Sequence, residues 1–193
     1  ITITKDGGYK SKAALNIKLD PKEYSGASVC LYNEFFDLNK YMLDSKVEFM
    51  IKGKKGGEAV KIGLLDEEVS DGKKTQVVLP MNKYIEGGAV TTDWKKVSIP
   101  LVDFPDRGLY WDNTRKSEFP ARIDWDKIAE IRFSIDKSGA SDFEIWVDNI
   151  EIVKGNKKAA PKKQIVYWDE NNDVIDGPKN PEKLDGKVKP VAN

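Results

Sequence analysis

Residues 129–135 read AEIRFSI, and this stretch decides the fold. Its apolar residues fall on every second position: Ile131, Phe133 and Ile135. A period of two is typical of a β-strand with one buried face, whereas an amphipathic helix needs a period of about 3.6. We therefore predict a half-buried strand here.

Short stretches with the same alternation recur along most of the chain, separated by Gly, Pro, Asn and Asp. They are 14–19, 27–32, 47–51, 59–65, 75–79, 95–101 and 142–153. About eight such strands predict an all-β chain, folded as an antiparallel two-sheet β-sandwich.

Two connections stand out between these stretches. Gly53, Gly56 and Gly57 separate 47–51 from 59–65, and glycines permit the positive φ of a tight turn, so we predict a hairpin there. Residues 103–124 contain Pro105, Gly108 and Pro120 and show no period. They predict a loop of more than 20 residues, and loops of that length are often functional.

The composition changes after residue 153. Residues 154–163 are rich in lysine and have no apolar face. We predict a sandwich over 1–153 and a Lys/Pro-rich linker and tail over 154–193. Within the tail, 164–168 and 174–175 predict a short hairpin that packs on the sandwich or on a neighbouring molecule.

Composition excludes several classes of function. The chain has no histidine, so imidazole-based catalysis and zinc–histidine sites are absent. Its one cysteine, Cys30, cannot form an intrachain disulfide. The 32 basic residues balance 32 acidic ones, which argues against nucleic-acid and anionic-membrane partners. No run of 18 apolar residues and no signal peptide occur, so we expect a soluble chain.

Several phrases together resemble a known family. They are IKG at 51–53 with Gly56-Gly57, VKIGL at 60–64, DWKKVSIPLVDF at 93–104, IDWDKIAEIRF at 123–133 and IWVDNI at 145–150. In order and spacing they resemble the jelly-roll, galactose-binding-like carbohydrate-binding modules of bacterial cellulases and glucanases. The resemblance covers 46–153 and is strongest to the group of families 11, 30 and 44.

The resemblance implies a non-catalytic module that holds a linked glycoside hydrolase on β-glucan, either cellulose or β-1,3-1,4-glucan. It also implies a secreted monomer that is joined to a catalytic domain, such as an endoglucanase, in one polypeptide. A structural calcium ion is common in such modules, so calcium is the one cofactor expected.

Aromatic side chains are the first candidates for sugar stacking. Trp111 and Tyr110 lie in the stretch 103–124, where they either stack on sugar or pack the loop against the sandwich. Tyr84 has the same two alternatives. Trp146 alternates with inward-facing Val147, so it either forms the base of a binding face or covers the opposite surface. Trp125, like Trp94, follows an Asp at the start of a strand or turn, a position that usually anchors a loop.

Polar candidates lie on the strand quoted first. Alternation places Arg132, Ser134 and Asp136 together on the face opposite the core, where they would hydrogen-bond sugar hydroxyls. An exposed or ion-paired arginine explains Arg132 equally well, since exposed strand faces are ordinarily polar.

Asp148 and Asp6 are the candidate calcium ligands. Asp148 resembles the aspartate that binds calcium in many of these modules, and Asp6 precedes the first predicted strand. Calcium takes six to eight oxygens, and Asp6-Gly7-Gly8 is equally good turn chemistry.

Two rival functions remain. One is a structural or protein-interaction sandwich of a multimodular surface protein, in which the aromatic residues are core and rim. The other is a jelly-roll lyase or hydrolase that uses carboxylates. Glycoside hydrolysis needs two carboxyl groups about 5 to 9.5 Å apart, and no pair stands out from the charged background.

Overall fold

The computed structural model describes residues 1–5, 7–22, 24–30, 35–67, 74–136 and 142–154, with the backbone of 167–168 and 174–175. Up to residue 154 it contains eleven strands: β1 (Thr2–Lys5), β2 (Ala13–Leu19), β3 (Ser25–Cys30), β4 (Ser45–Gly53), β5 (Lys61–Asp66), β6 (Thr75–Pro80), β7 (Lys95–Pro100), β8 (Arg107–Asp112), β9 (Ser117–Arg122), β10 (Ile128–Ile135) and β11 (Phe143–Lys154). Three one-turn 3-10 helices connect them: Asn39–Tyr41, Met81–Tyr84 and Leu101–Asp103.

The strands form two antiparallel sheets that pack face to face. The back sheet has the order β1-β2-β11-β4-β7, and the front sheet has the order β3-β10-β5-β6-β8-β9. The predicted all-β, two-sheet sandwich is confirmed.

The core lies between the sheets and consists of the inward residues that alternation selects. The most completely buried are Ile17, Phe49, Ile51, Ile62, Val77, Val97, Ile99, Leu101, Phe133, Ile145 and Val147. Phe49 of the back sheet meets Phe133 of the front sheet edge to face, with ring centroids 5.5 Å apart. Each such side chain contributes about 1.5–3 kcal/mol by leaving water, and these contacts hold the two sheets together.

The predicted hairpin between 47–51 and 59–65 is wrong. Residues 47–51 belong to β4 of the back sheet, whereas β5 belongs to the front sheet. The glycines do form a tight connection, with φ of 83° at Gly56 and 81° at Gly57. That connection crosses from one sheet to the other, and Gly57 N donates to Val90 O at 2.8 Å. Alternation identifies strands but does not show which sheet each strand joins.

The predicted long loop over 103–124 is also wrong. This stretch contains β8 and β9, which pair as an antiparallel hairpin at one edge of the front sheet. Asp112 Oδ1 accepts the N–H groups of Thr114 and Arg115 and closes the turn. The alternation of apolar and polar residues does not reveal these strands, because side chains on both faces of the hairpin are apolar.

The chain divides into two compact units, residues 1–157 and residues 158–193. In the second unit, β12 (Tyr167–Trp168) pairs with β13 (Val174–Ile175) in antiparallel register. The rest of the tail, and the predicted packing of its hairpin, lie outside the described residues.

Candidate functional site

The outward side of the front sheet, which we call the front face, has a floor with few side chains at its centre. Phe133 and Ile62 point into the core, so their strand neighbours point outward. Arg132 of β10 lies opposite Gly63 of β5, and Ser134 lies opposite Gly26 of β3. Because two of these four positions are glycine, polar side chains can lie flat over the backbone.

Arg132 is fixed across this floor by three hydrogen bonds. Its Nε donates to Ser28 Oγ at 2.9 Å, Nη1 donates to Gln76 Oε1 at 2.9 Å, and Nη2 donates to Glu130 Oε2 at 3.4 Å. A guanidinium carries five N–H groups, so two remain for a ligand. The predicted polar residue is therefore held in one orientation at the centre of the front face.

Glu130 anchors this network. Its side chain is 7% exposed, and one carboxylate oxygen accepts a hydrogen bond from Lys74 Nζ at 2.6 Å. Burial alone would raise the pKa of the Glu130 carboxyl, but hydrogen bonds from Lys74 and Ser28 and the charges of Lys74 and Arg132 outweigh it and lower the pKa. The ionised form therefore holds Arg132 in place at neutral pH.

Tyr24 lies on the same face and was missed by the sequence reasoning. It is 57% exposed, and its hydroxyl accepts a hydrogen bond from Gln76 Nε2 at 3.4 Å. Alternation extended back from Ser28 and Gly26 would have placed it there, although Tyr24 precedes the first residue of β3.

The β8–β9 hairpin adds exposed apolar surface to the front face. Leu109 pairs with Gln76 in the ladder between β8 and β6, and Trp111 follows on the same side of β8. These side chains are 45% and 51% exposed, respectively. Tyr110, between them, points to the other side and stacks on Phe119, with ring centroids 5.8 Å apart. The structure therefore separates Tyr110 from Trp111.

Ser134 follows Arg132 on β10, and Asp136 comes directly after that strand. The prediction that Ser134 hydrogen-bonds sugar is wrong for this structure, because its side chain is out of reach of a ligand on the surface. Ser134 is fully buried, and its Oγ has no hydrogen-bond partner among the described residues. Asp136 forms an ion pair with Lys61 at the end of the face.

Tyr84 and Trp146 lie away from the front face. Tyr84 ends the 3-10 helix Met81–Tyr84, next to Ile85, which bridges to Val97 of the back sheet. Burial, followed by the charge of Asp103 and a hydrogen bond to it, raises the pKa of the Tyr84 hydroxyl. Trp146 points outward from the back sheet, on the opposite surface of the sandwich.

Trp125 anchors a turn, as its position predicted. It is 8% exposed, and its Nε1 donates to Asp106 Oδ1 at 3.0 Å.

A pocket of about 560 Å³ lies at one end of the sandwich, beside the β4–β5 connection. It reaches the front face at Lys61, Pro80 and Asp136. Among the described residues that line it, Phe143 is the one aromatic residue, and it is buried. We therefore place the candidate binding surface on the front face, where exposed aromatic and polar groups lie together.

Asp148 holds the turn between β1 and β2. Its Oδ2 accepts the N–H of Tyr9 at 2.7 Å and lies 2.6 Å from Ser11 Oγ, which is in turn 2.8 Å from Ala13 O. A Cβ on Gly8 would meet all three of these oxygens. Three oxygens thus converge beside Gly8, held by hydrogen bonds from Ser11 Oγ and Tyr9 N, and oxygen is the ligand type that calcium takes.

Asp6, the other predicted ligand, lies outside the described residues. Within the part of the chain that the structure describes, no group of three or more Asp, Glu and Cys side chains is arranged to hold a metal. Any calcium ion at the turn would therefore rely on backbone and hydroxyl oxygens beside Asp148.

A sequence profile of carbohydrate binding domain 30 matches residues 2–154. The chain belongs to carbohydrate-binding module family 30. Modules of this kind bind carbohydrate and are non-catalytic. The match begins well before the 46–153 region that carried the resemblance and so includes β1, β2 and β3.

Solved structures agree with this assignment. The family 30 module of the cellulosomal cellulase Cel9D-Cel44B of Clostridium thermocellum is 24% identical, with a TM-score of 0.62 over 82% of this chain and 83% of that one. A second family 30 module is 27% identical, with a TM-score of 0.62 over 83% of this chain and 77% of that one.

A family 11 module from Clostridium thermocellum, solved with a β-1,3-1,4-mixed-linked tetrasaccharide, shares the fold. It is 16% identical, with a TM-score of 0.56 over 80% of this chain and 81% of that one. No curated protein matches the chain. Among the described residues, no helix is long and apolar enough to span a bilayer.

Proposed function

We propose that the front face of this family 30 module binds a β-linked glucan, cellulose or β-1,3-1,4-glucan. The observation that carries the proposal is the fixed Arg132, on the same face as the exposed rings of Tyr24 and Trp111. Pyranose rings offer apolar C–H faces to aromatic side chains, while their hydroxyls accept and donate hydrogen bonds. The tetrasaccharide in the family 11 module supports this ligand class.

The dimensions of the sheet suit an extended chain. Four inter-strand spacings of about 4.8 Å separate β3 from β8, which makes a path of roughly 19 Å across the strands. A glucan that crosses the strands would pass over β3, β10, β5, β6 and β8 in turn. Binding that depends on stacking and neutral hydrogen bonds depends weakly on salt.

Affinity electrophoresis tests the proposal. The full chain and its Trp111→Ala and Leu109→Ala variants would run through gels containing barley β-glucan or hydroxyethylcellulose. Leu43→Ala is the matched control, because Leu43 is also exposed, at 59%, but lies outside the front face. We expect β-glucan to retard the wild type and Leu43→Ala, and to retard the two front-face variants less.

Unchanged migration of the wild type in every gel would overturn the proposal and favour the structural or protein-interaction sandwich. Retardation that all variants retain would keep glucan binding but move it from the front face.

We further propose that calcium binds at the Asp148 turn and stabilises it. The oxygens around Gly8 support this. Asp148→Asn and the wild type would be melted with calcium chloride and with EGTA. We expect calcium to raise the Tm of the wild type only, and equal Tm values in both buffers would contradict the proposal.

The biological role that follows is targeting. We propose that the module is secreted as part of a longer polypeptide that also carries a glycoside hydrolase, and that the module itself is monomeric. Light scattering of the full chain at increasing concentration tests the last point, and a mass that rises to twice the chain mass would contradict it.

A further inference from the structure

The outer face of the back sheet carries a row of aromatic and basic side chains that the front face does not use. Trp146 of β11 pairs across the sheet with Lys52 of β4, and Trp94 directly precedes β7, the next strand. Lys52 Nζ lies 4.9 Å from the ring centroid of Trp94 and 5.4 Å from that of Trp146.

The row continues into the β1–β2 turn. The Tyr9 ring meets Trp94 edge-on, with centroids 6.1 Å apart, and Lys10 Nζ lies 5.0 Å from the Tyr9 centroid. We call Tyr9, Lys10, Lys52, Trp94 and Trp146 the basic–aromatic row.

Three carboxylates on this face have partners among the described residues, and Asp148 accepts hydrogen bonds from Tyr9 N and Ser11 Oγ. Glu144 contacts Lys18 at 3.4 Å and Lys54 at 3.2 Å, and Glu48 contacts Lys96 at 2.5 Å. Burial acts to raise the pKa of Glu144, but hydrogen bonds from Asn16 and these lysines lower it, so its charge is balanced locally.

Lys52 and Lys10 differ from Lys18, Lys54 and Lys96. Among the described residues, no carboxylate lies within 4 Å of either ammonium, and the groups beside them are aromatic rings. An ammonium over an aromatic ring keeps its charge and can still pair with an anion. The row therefore presents positive charge beside half-buried rings.

We propose that the basic–aromatic row is a second binding surface, for a polysaccharide that carries carboxylates, that is, one with uronate residues. The carboxylate of a uronate pairs with the ammonium that lies over an indole, and the C–H groups of its ring contact the part of the indole that the ammonium leaves uncovered. A neutral glucan would leave both ammoniums unpaired, so charge complementarity selects the acidic chain. The proposal is independent of the function proposed for the front face.

Binding at this row depends on salt, in contrast to stacking on the front face. Exposed ion pairs are screened at physiological ionic strength. We expect modest affinity at low salt, and about a five-fold loss when one ammonium is removed.

The test uses affinity electrophoresis of the full chain at low and high salt in gels containing polygalacturonate. Fully methyl-esterified polygalacturonate controls for the sugar, and polyglutamate controls for charge alone. Lys52→Met removes the charge and keeps an unbranched apolar stem between the indoles, whereas Lys52→Arg keeps the charge. Lys127→Met is the matched control, because Lys127 lies in a turn of the other sheet and pairs with Asp124.

We expect polygalacturonate, but neither control polymer, to retard the wild type, Lys52→Arg, Lys127→Met and Trp111→Ala. Lys52→Met should bind about five-fold more weakly, with its Tm and neutral-glucan retardation unchanged.

Several results would overturn the proposal. Polygalacturonate could fail to retard the wild type, or polyglutamate could retard it equally. Lys52→Met and Lys127→Met could lose polygalacturonate retardation equally, or Lys52→Met could lose its retardation by neutral glucan. Failure of front-face binding would appear separately, as wild-type migration that β-glucan leaves unchanged.

Discussion

The Arg132 guanidinium donates from Nη1 to Gln76 Oε1 at 2.9 Å, and this hydrogen bond joins β10 to β6 over the intervening β5. It can do so because β5 carries Gly63 opposite Arg132, so no side chain of β5 separates the two groups. The arginine is thus ordered before a ligand arrives, and less conformational entropy is lost on binding.

Replacing Arg132 with lysine should weaken glucan binding about ten-fold, because an ammonium cannot reach Ser28, Gln76 and Glu130 together. Net charge stays the same, so a general electrostatic effect is excluded. Isothermal titration with a soluble β-glucan oligosaccharide, paired with a thermal melt, would measure the change. Wild-type affinity in this variant would contradict the role given to the guanidinium.

Two glycine substitutions should change different properties: Gly63→Ala the glucan affinity, and Gly57→Ala the free energy of unfolding. A Cβ on Gly63 would lie 3.1 Å from Gln76 Nε2 and 3.2 Å from Val77 O, so Gly63→Ala should displace Gln76 and lower glucan affinity several-fold. Gly57 has open space around its Cβ position but a φ of 81°. Gly57→Ala should cost about 1–2 kcal/mol of stability and leave affinity unchanged. Urea unfolding and titration of both variants would separate the two effects.

Acid should weaken the Glu130 contribution to stability. The folded pKa of this carboxyl lies below its ordinary value of 4.5. Its stabilisation is therefore present above pH 4.5 and is lost as the pH falls through the lowered pKa. We expect Glu130→Gln to cost about 1.5 kcal/mol at pH 7. Urea melts at pH 7, 5, 4 and 3 should show the difference from wild type shrinking with acid, and a constant difference would contradict this linkage.

Cys30 can report on the two faces separately. It is exposed, is the one cysteine of the chain, and pairs with Glu130 in the register of β3 with β10. A solvent-sensitive dye on Cys30 should change its emission when β-glucan binds and not when polygalacturonate binds. The same titration on Trp111→Ala should need more glucan for half the signal. An equal response to both polymers would place them on the same face.

Much of this architecture could be predicted from alternation alone. In β4 and β7 the buried residues occupy every second position, as Val97 and Ile99 do. The outward position of Arg132 on β10 followed from the same rule. Partner strands could not be predicted, because a period of two says which face is buried but not which strand lies alongside. The crossing between β4 and β5 was missed for that reason.

The candidate site was predicted in part. Trp111 and Arg132 lie on one face, as the proposal needs, although they are far apart in sequence. The sequence groups Tyr110 with Trp111 because an unpatterned stretch predicts a loop, in which neighbours can point the same way. On a strand, neighbouring side chains point to opposite sides. Tyr24 was missed because it stands just outside the alternating stretch.

The hairpin of β8 and β9 is attached to the rest of the front sheet through two residue pairs, Thr75 with Tyr110 and Gln76 with Leu109. The floor beneath Arg132, in contrast, rests on strands whose inner residues form the core. Insertions, deletions or exchanges within this hairpin would alter one wall of the binding face at little cost to folding. Directed evolution of a new glucan preference would therefore begin with this hairpin and leave the floor intact.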